Sequence, residues 1–211
     1  MKKLEKYIIL FFNLIPGGIF GLASVFLAII FISLSYIHFP DYDMMNNDVS
    51  VLGIGPGLSA PLFNNGVKIV GISAMPFFIY FGKILRQEAE NTKFIKRAVR
   101  LSIVGCISLS LIGFFPVVNR SMGIIHAGLA LIFFLCSIIN LIYFSITILK
   151  DQRFVKIHAY FGFTIAGLIG FYIAVRWSIV EWIVFFALGF WIVDNSVYTI
   201  LNYKKFKLLI R

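Results

Sequence analysis

Residues 123–149 read GIIHAGLALIFFLCSIINLIYFSITIL. No Asp, Glu, Lys or Arg interrupts the run. A helix of about 20 apolar residues crosses the hydrocarbon core of a bilayer, so a stretch this long and this apolar has lipid as its solvent. Five further stretches are long and mostly apolar, with at most two charged residues each: residues 18–37, 66–85, 100–118, 158–175 and 177–203. Six spans with short connections use all of the 211 residues and leave no room for a soluble domain. The expected fold is all-α, a polytopic membrane bundle of six transmembrane helices forming one integral membrane domain over residues 1–211.

Composition points the same way. Hydrophobic residues make up 60% of the chain and charged residues 13%, against about half and about a quarter in a soluble domain. The formal charge of +10 would suggest nucleic acid in a soluble protein. Here the basic residues flank apolar runs, where they set orientation and meet anionic head groups, so membrane lipids are the expected partners and nucleic acid is not. Cys106 and Cys136 fall inside spans at different depths and read as small hydrophobes rather than a disulfide or metal pair.

The start, MKKLEKYIILFF, has the look of a signal peptide. The apolar stretch continues to about residue 37 without a small-residue cleavage site, so it reads as a retained first span. Pro16, Gly17 and Gly18 break its beginning, which predicts a short interfacial helix over residues 7–15.

Charge fixes the expected orientation. With the N-terminus inside, only Lys68, Arg120 and Arg176 fall outside, and the other 16 of the 19 Lys and Arg lie inside. The positive-inside rule then puts both termini in the cytoplasm, with the protein in the cell membrane. Small residues recur every fourth position at Gly162, Ala166, Gly170 and Ala174, and at every third or fourth position at Gly17, Gly21, Ser24 and Ala28. Such stripes allow close helix approach in lipid and predict that the first and fifth spans sit tightly packed inside the bundle.

Polar groups within an apolar run require an explanation, because an ionisable side chain in lipid is costly and faces protein or a wet cavity. His126, Ser137 and Asn140 fall within about 60° of one another on a helix, forming a polar seam on the fourth span. His126 reads as an acid/base or ligand-binding group, or as an interfacial His bonded to a loop carbonyl. Asp194 lies about 20 Å below Glu181 along the sixth span. It reads as a proton or cation site, or as half of an interhelical hydrogen bond, with Asn140 at a similar depth as the expected partner.

The first outer loop carries His38, Asp41, Asp43 and Asp48 before a Gly-rich stretch. Three acids and a His could hold a metal, or the segment is a turn-rich loop folded over the bundle; their spacing matches no metal motif, and GIGPG lacks the Gly-Lys-Ser/Thr ending of a P-loop. Arg120 and Arg176 sit at the outer head-group level, either clamping a phosphate or carboxylate or snorkelling to lipid phosphates. His158 lies at the inner end of the fifth span, too far from His126 for the two to share a haem. Ser50 and Ser121 are on the outer side, but neither lies in a Gly-x-Ser-x-Gly elbow. No cofactor can be assigned.

One pattern resembles a known family. Tyr42-Asp43, Asp48-Val49-Ser50 and Leu52-Gly53 in the outer loop are followed by Phe63-Asn64-Asn65-Gly66. Gly123-x-x-His126 and Phe133-Phe134 then open the fourth span. Over residues 8 to 202 this is similar to the six-span membrane family called domain of unknown function 998. More distantly it is similar to the damage-regulated autophagy modulator (DRAM) type and its relatives in lipid-anchor remodelling. The resemblance implies six spans and points to the first outer loop and His126 as shared positions.

Two functions compete on this reading. One is a lipid-binding or lipid-modifying site at the outer leaflet. There His126 would be the acid/base, Asp43 or Asp48 would orient it or hold a metal, Arg120 and Arg176 would hold the head group, and Ser50 and Asn64 would be further contacts. The other is a small proton-coupled transporter lined by Asp194, Asn140 and Ser137. A non-catalytic scaffold is the third possibility. The outer cluster favours lipid, and whether the protein is an enzyme is left open.

Overall fold

The computed structural model describes residues 3–89 and 92–206. Lys2, Lys207 and Arg211, counted above on the inner side, lie outside the described residues. Every regular element is helical: α1 (Lys3–Leu14), α2 (Gly18–Ile37), a 3-10 turn (Val49–Ile54), α3 (Ser59–Arg86), α4 (Thr92–Ile112), α5 (Arg120–Lys150), α6 (Ile157–Val175), α7 (Ser178–Leu201) and the single turn α8 (Tyr203–Phe206). Helices are forced here, because only a helix satisfies all of its own backbone donors and acceptors where water is absent.

Local sequence sets the ends. Pro16-Gly17 separates α1 from α2. Asn119 caps α5, its side-chain oxygen accepting the Met122 N–H at 2.9 Å. Arg176 takes a left-handed conformation, φ 55°, at the sharp corner between α6 and α7. The helices α2, α3, α5, α6 and α7 are long and apolar enough to cross a membrane.

Three boundaries depart from the sequence reading. Helix α4 runs over residues 92–112, not 100–118. Its early turns carry Lys93, Lys96, Arg97 and Arg100, and residues 113–118 form the corner that holds Pro116. Helix α3 begins at Ser59, seven positions before the expected start at Gly66, because its extra turns are anchored. The Ser35 hydroxyl donates to the Ser59 carbonyl at 2.8 Å, and the Asn64 amide donates to the Gly53 carbonyl at 2.9 Å. Helix α1 begins at Lys3 and docks Ile9 and Phe12 into the core, with Phe12 packed on the Tyr80 ring at 5.2 Å.

The long helices close a ring: α2 packs on α3, α3 on α4, α4 on α5, α5 on α6, α6 on α7, and α7 returns to α2. This corrects the expectation that the first and fifth spans lie inside the bundle. In α2 the small-residue stripe is used. A Cβ at Gly21 would run into the Ser196 hydroxyl and the Phe77 ring. In α6 only the inner half is used: Gly162 meets Ser145 and Trp191, whereas Gly170 has nothing within 4 Å and faces outward. A ring member has two neighbours, and the rest of its surface belongs to lipid.

The inner half of the ring is filled by aromatic side chains. Phe81 lies 5.3 Å from Phe144 and 5.8 Å from Trp191, ring centre to ring centre, and stacks on Phe77 at 5.5 Å. All four are buried, so the centre is closed at this depth. The outer half is not filled in the same way.

Candidate functional site: an apolar chamber under the outer loop

Above the aromatic floor the ring encloses a chamber of about 380 Å³, within the usual range for a small-molecule site. Its walls come from α2, α3, α4, α5 and α7, and the 3-10 turn forms its outer end through Val49 and Ser50. Most of the wall is apolar: Ile32, Phe63, Val67, Leu109, Phe134 and Phe185 are typical. Ile29, Phe186 and Phe190 line the chamber and are also 48%, 55% and 54% exposed. The chamber therefore reaches the outside of the ring at the seam between α2 and α7.

The polar wall residues come in two groups. At the outer end are Ser50, His126 and Glu181, and further in are Ser24, Ser137 and Asn140. The seam anticipated on α5 is thus set along the chamber wall, since its three members share a face and that face looks into the ring. His126 is buried and its Nδ1 lies 2.9 Å from the Phe115 carbonyl oxygen. A carbonyl only accepts, so Nδ1 carries the hydrogen and Nε2 is an acceptor. His126 bonds a loop carbonyl and also lines the chamber.

Glu181 is the residue the sequence reading used only as a depth marker. It sits in the first turn of α7, where a negative charge is favoured by the helix dipole. Its Oε2 accepts the Val49 N–H at 2.9 Å, and Asp48, Tyr172 and Arg176 surround it. An acid inside an apolar run was the available signal. Trp182 beside it donates its indole N–H to the Asn47 carbonyl at 3.2 Å. Tyr42 completes the cap, with its hydroxyl 2.7 Å from the Asp48 carbonyl and 3.1 Å from that of Asn47, and its ring edge-on to Trp182. Burial pushes the Tyr42 phenol well above its ordinary range. The outer loop is therefore a fitted cap.

The other candidates lie elsewhere. Asp43 is exposed and spends its carboxylate locally, accepting the Met45 N–H at 2.9 Å and the Asn46 amide at 2.5 Å. Asp48 precedes the 3-10 turn and flanks Glu181 rather than His126. Asn64 clamps the Gly53 carbonyl. Arg120 and Arg176 are exposed and do not line the chamber. Among the described residues no three of His, Cys, Asp and Glu are grouped to hold a metal.

Asp194 is bonded, but not to Asn140. Its Oδ2 lies 2.5 Å from His158 Nδ1, which joins α7 to α6 below the aromatic floor. The Tyr198 ring packs on His158 at 4.5 Å, and its hydroxyl donates to the Arg153 carbonyl at 2.7 Å. Arg153 in turn grips Asp151 at 2.8 Å, Gln87 and the Ile84 carbonyl. This inner network ties α3, α5, α6 and α7 together and has no connection to the chamber.

The chain belongs to the DUF998 family, described as a protein of unknown function, whose model matches residues 22–194. The match takes in both the chamber and its cap. No curated protein and no solved structure matches the chain.

Proposed function

We propose that this protein crosses the cell membrane six times, with both termini in the cytoplasm, and binds a lipid or another membrane-dissolved amphiphile in the chamber beneath its outer loop. The observation that carries this reading is the chamber's chemistry. It is an apolar space with a few polar groups, and it reaches the lipid-facing surface between α2 and α7. An apolar chain enters such a space from the bilayer without crossing water, and a polar end meets Ser50, His126 Nε2 and Glu181 under the cap. A scaffold has no use for such a space. A proton-coupled transporter would need the floor of Phe77, Phe81, Phe144 and Trp191 to part, since the His158–Asp194 pair lies beyond it.

With α4 counted as a span, the chain has an even number of crossings, and its cation-rich connections share one side. The test is native mass spectrometry on gently extracted protein. Wild type is compared with Ala130→Phe, which fills the chamber, and with Ala127→Phe on the exposed face of α5. A defined amphiphile retained by wild type and Ala127→Phe but lost from Ala130→Phe supports the reading. Equal retention by all three, or nothing specific retained by wild type, defeats it.

A further inference from the structure

Among the described residues two buried polar side chains of the chamber wall make no hydrogen bond, Trp191 through its indole N–H and Asn140 through its carboxamide. Asn140 is 5% exposed and lines the inner part of the chamber. Its carboxamide makes no hydrogen bond among the described residues. The two serine hydroxyls of the inner wall are occupied. Ser137 donates to the Phe133 carbonyl at 2.8 Å, and Ser24 donates to the Gly21 carbonyl at 2.8 Å. Asp194, the expected partner, is taken by His158. Phe78, Cys106, Leu141, Trp191 and Ile192 line the same chamber.

An amide that opens only onto an apolar chamber and finds no partner there costs about 1–3 kcal/mol. Leu at this position would fill similar space and avoid that cost. Buried polar groups in native structures are almost always paired, and the exceptions call for an explanation. The amide faces a space large enough for a ligand, so the missing partner belongs to what fills that space.

We infer that Asn140 forms a second polar subsite deep in the chamber, which binds an oxygen carried far from the ligand's head. This rests on the reading of the chamber as a ligand site and adds a specificity to it. Asn140 lies about 21 Å from His126 along α5, 14 residues at 1.5 Å each. The ligand class is therefore a long chain polar at both ends: one hydroxyl or carbonyl under the cap, and another at the far end against Asn140. The carboxamide both donates and accepts, so it takes a hydroxyl or a carbonyl oxygen. An ordinary acyl chain, ending in a methyl group, leaves it unpaired.

The test uses full-length protein in phosphatidylcholine nanodiscs and three probes of one chain length: hexadecane, hexadecanol, and the diol with a hydroxyl at each end. Wild type is expected to bind the diol about tenfold more tightly than the alcohol, the worth of one buried hydrogen bond. Asn140→Leu is expected to erase that preference while keeping its affinity for the alcohol and for hexadecane. If wild type binds diol and alcohol equally, or if Asn140→Leu keeps the preference, the subsite is overturned and water pairs with the amide, while the chamber stands as an apolar-chain site. If wild type binds none of the three, the chamber reading falls as well. The comparison on wild type alone decides the matter if Asn140→Leu does not fold.

Discussion

The Glu181 carboxyl accepts the backbone N–H of Val49 at 2.9 Å, and together with the Trp182 indole bond to the Asn47 carbonyl this contact ties the outer loop to the start of α7. Val49 forms part of the chamber's outer end. The strength of the Glu181 bond therefore governs how firmly the chamber is capped. A hydrogen bond of this kind contributes about 0.5–1.5 kcal/mol. Glu181→Ala should raise hydrogen exchange across residues 42–54 by about two- to tenfold, with exchange in α5 unchanged. Equal protection of the loop in wild type and variant would show that Trp182 and Tyr42 hold the cap without Glu181.

Tyr42 makes the cap sensitive to alkali. Burial raises its phenol above the ordinary value of 10.0. Above that pH an opened loop would ionise while the closed one stays protonated, so the closed state loses stability as pH rises past about 10. Below it the contribution is fully present. Cleavage of residues 38–58 by an alkali-tolerant protease should therefore accelerate above pH 10 in wild type. Tyr42→Phe, which has no proton to lose, should show a flatter pH profile and a higher rate at neutral pH.

The His158–Asp194 bond should behave as a coupled pair between α6 and α7. Removing one partner strands the other in a partly buried site. His158→Phe or Asp194→Leu alone should each lower stability by about 1–3 kcal/mol. The double variant should recover part of that loss, giving a coupling of about 1 kcal/mol in thermal unfolding in detergent. Strict additivity of the two losses would show that the contact contributes nothing.

Glycines of one chain should respond oppositely according to what they face. A Cβ on Gly71 would strike the Cys106 carbonyl oxygen and the Ser110 hydroxyl, so Gly71→Ala pushes α3 away from α4. It should cost about 1–3 kcal/mol in thermal stability. Gly170 has open space around it, and Gly170→Ala should be neutral or stabilise by up to about 1 kcal/mol, since Ala is the better helix former.

Asp43 is expected to matter little to ligand binding. Its carboxylate closes a turn with Met45 and Asn46 on the exposed surface. Asp43→Ala should change stability by less than about 1 kcal/mol and leave any retained amphiphile in native mass spectra unaltered. Loss of that amphiphile would bring Asp43 back as a site residue.

The all-helical fold and the apolar character of its long helices are written in the sequence. In lipid the backbone has no alternative, and the period of 3.6 residues places His126, Ser137 and Asn140 on one face without reference to any neighbour. Boundaries were legible where a single residue sets them, as Pro16 and Gly17 do before α2. They were not where distant anchors extend a helix, as Ser35 and Gly53 do for α3. Partners were decided only by the tertiary structure. Asp194 meets His158 rather than Asn140, Glu181 meets Val49 across the outer loop, and α2 and α6 take places in a ring rather than at its centre. Periodicity fixes which residues share a helix face. Which face meets which neighbour depends on the rotation and depth of each helix, and these are set by side-chain packing between helices.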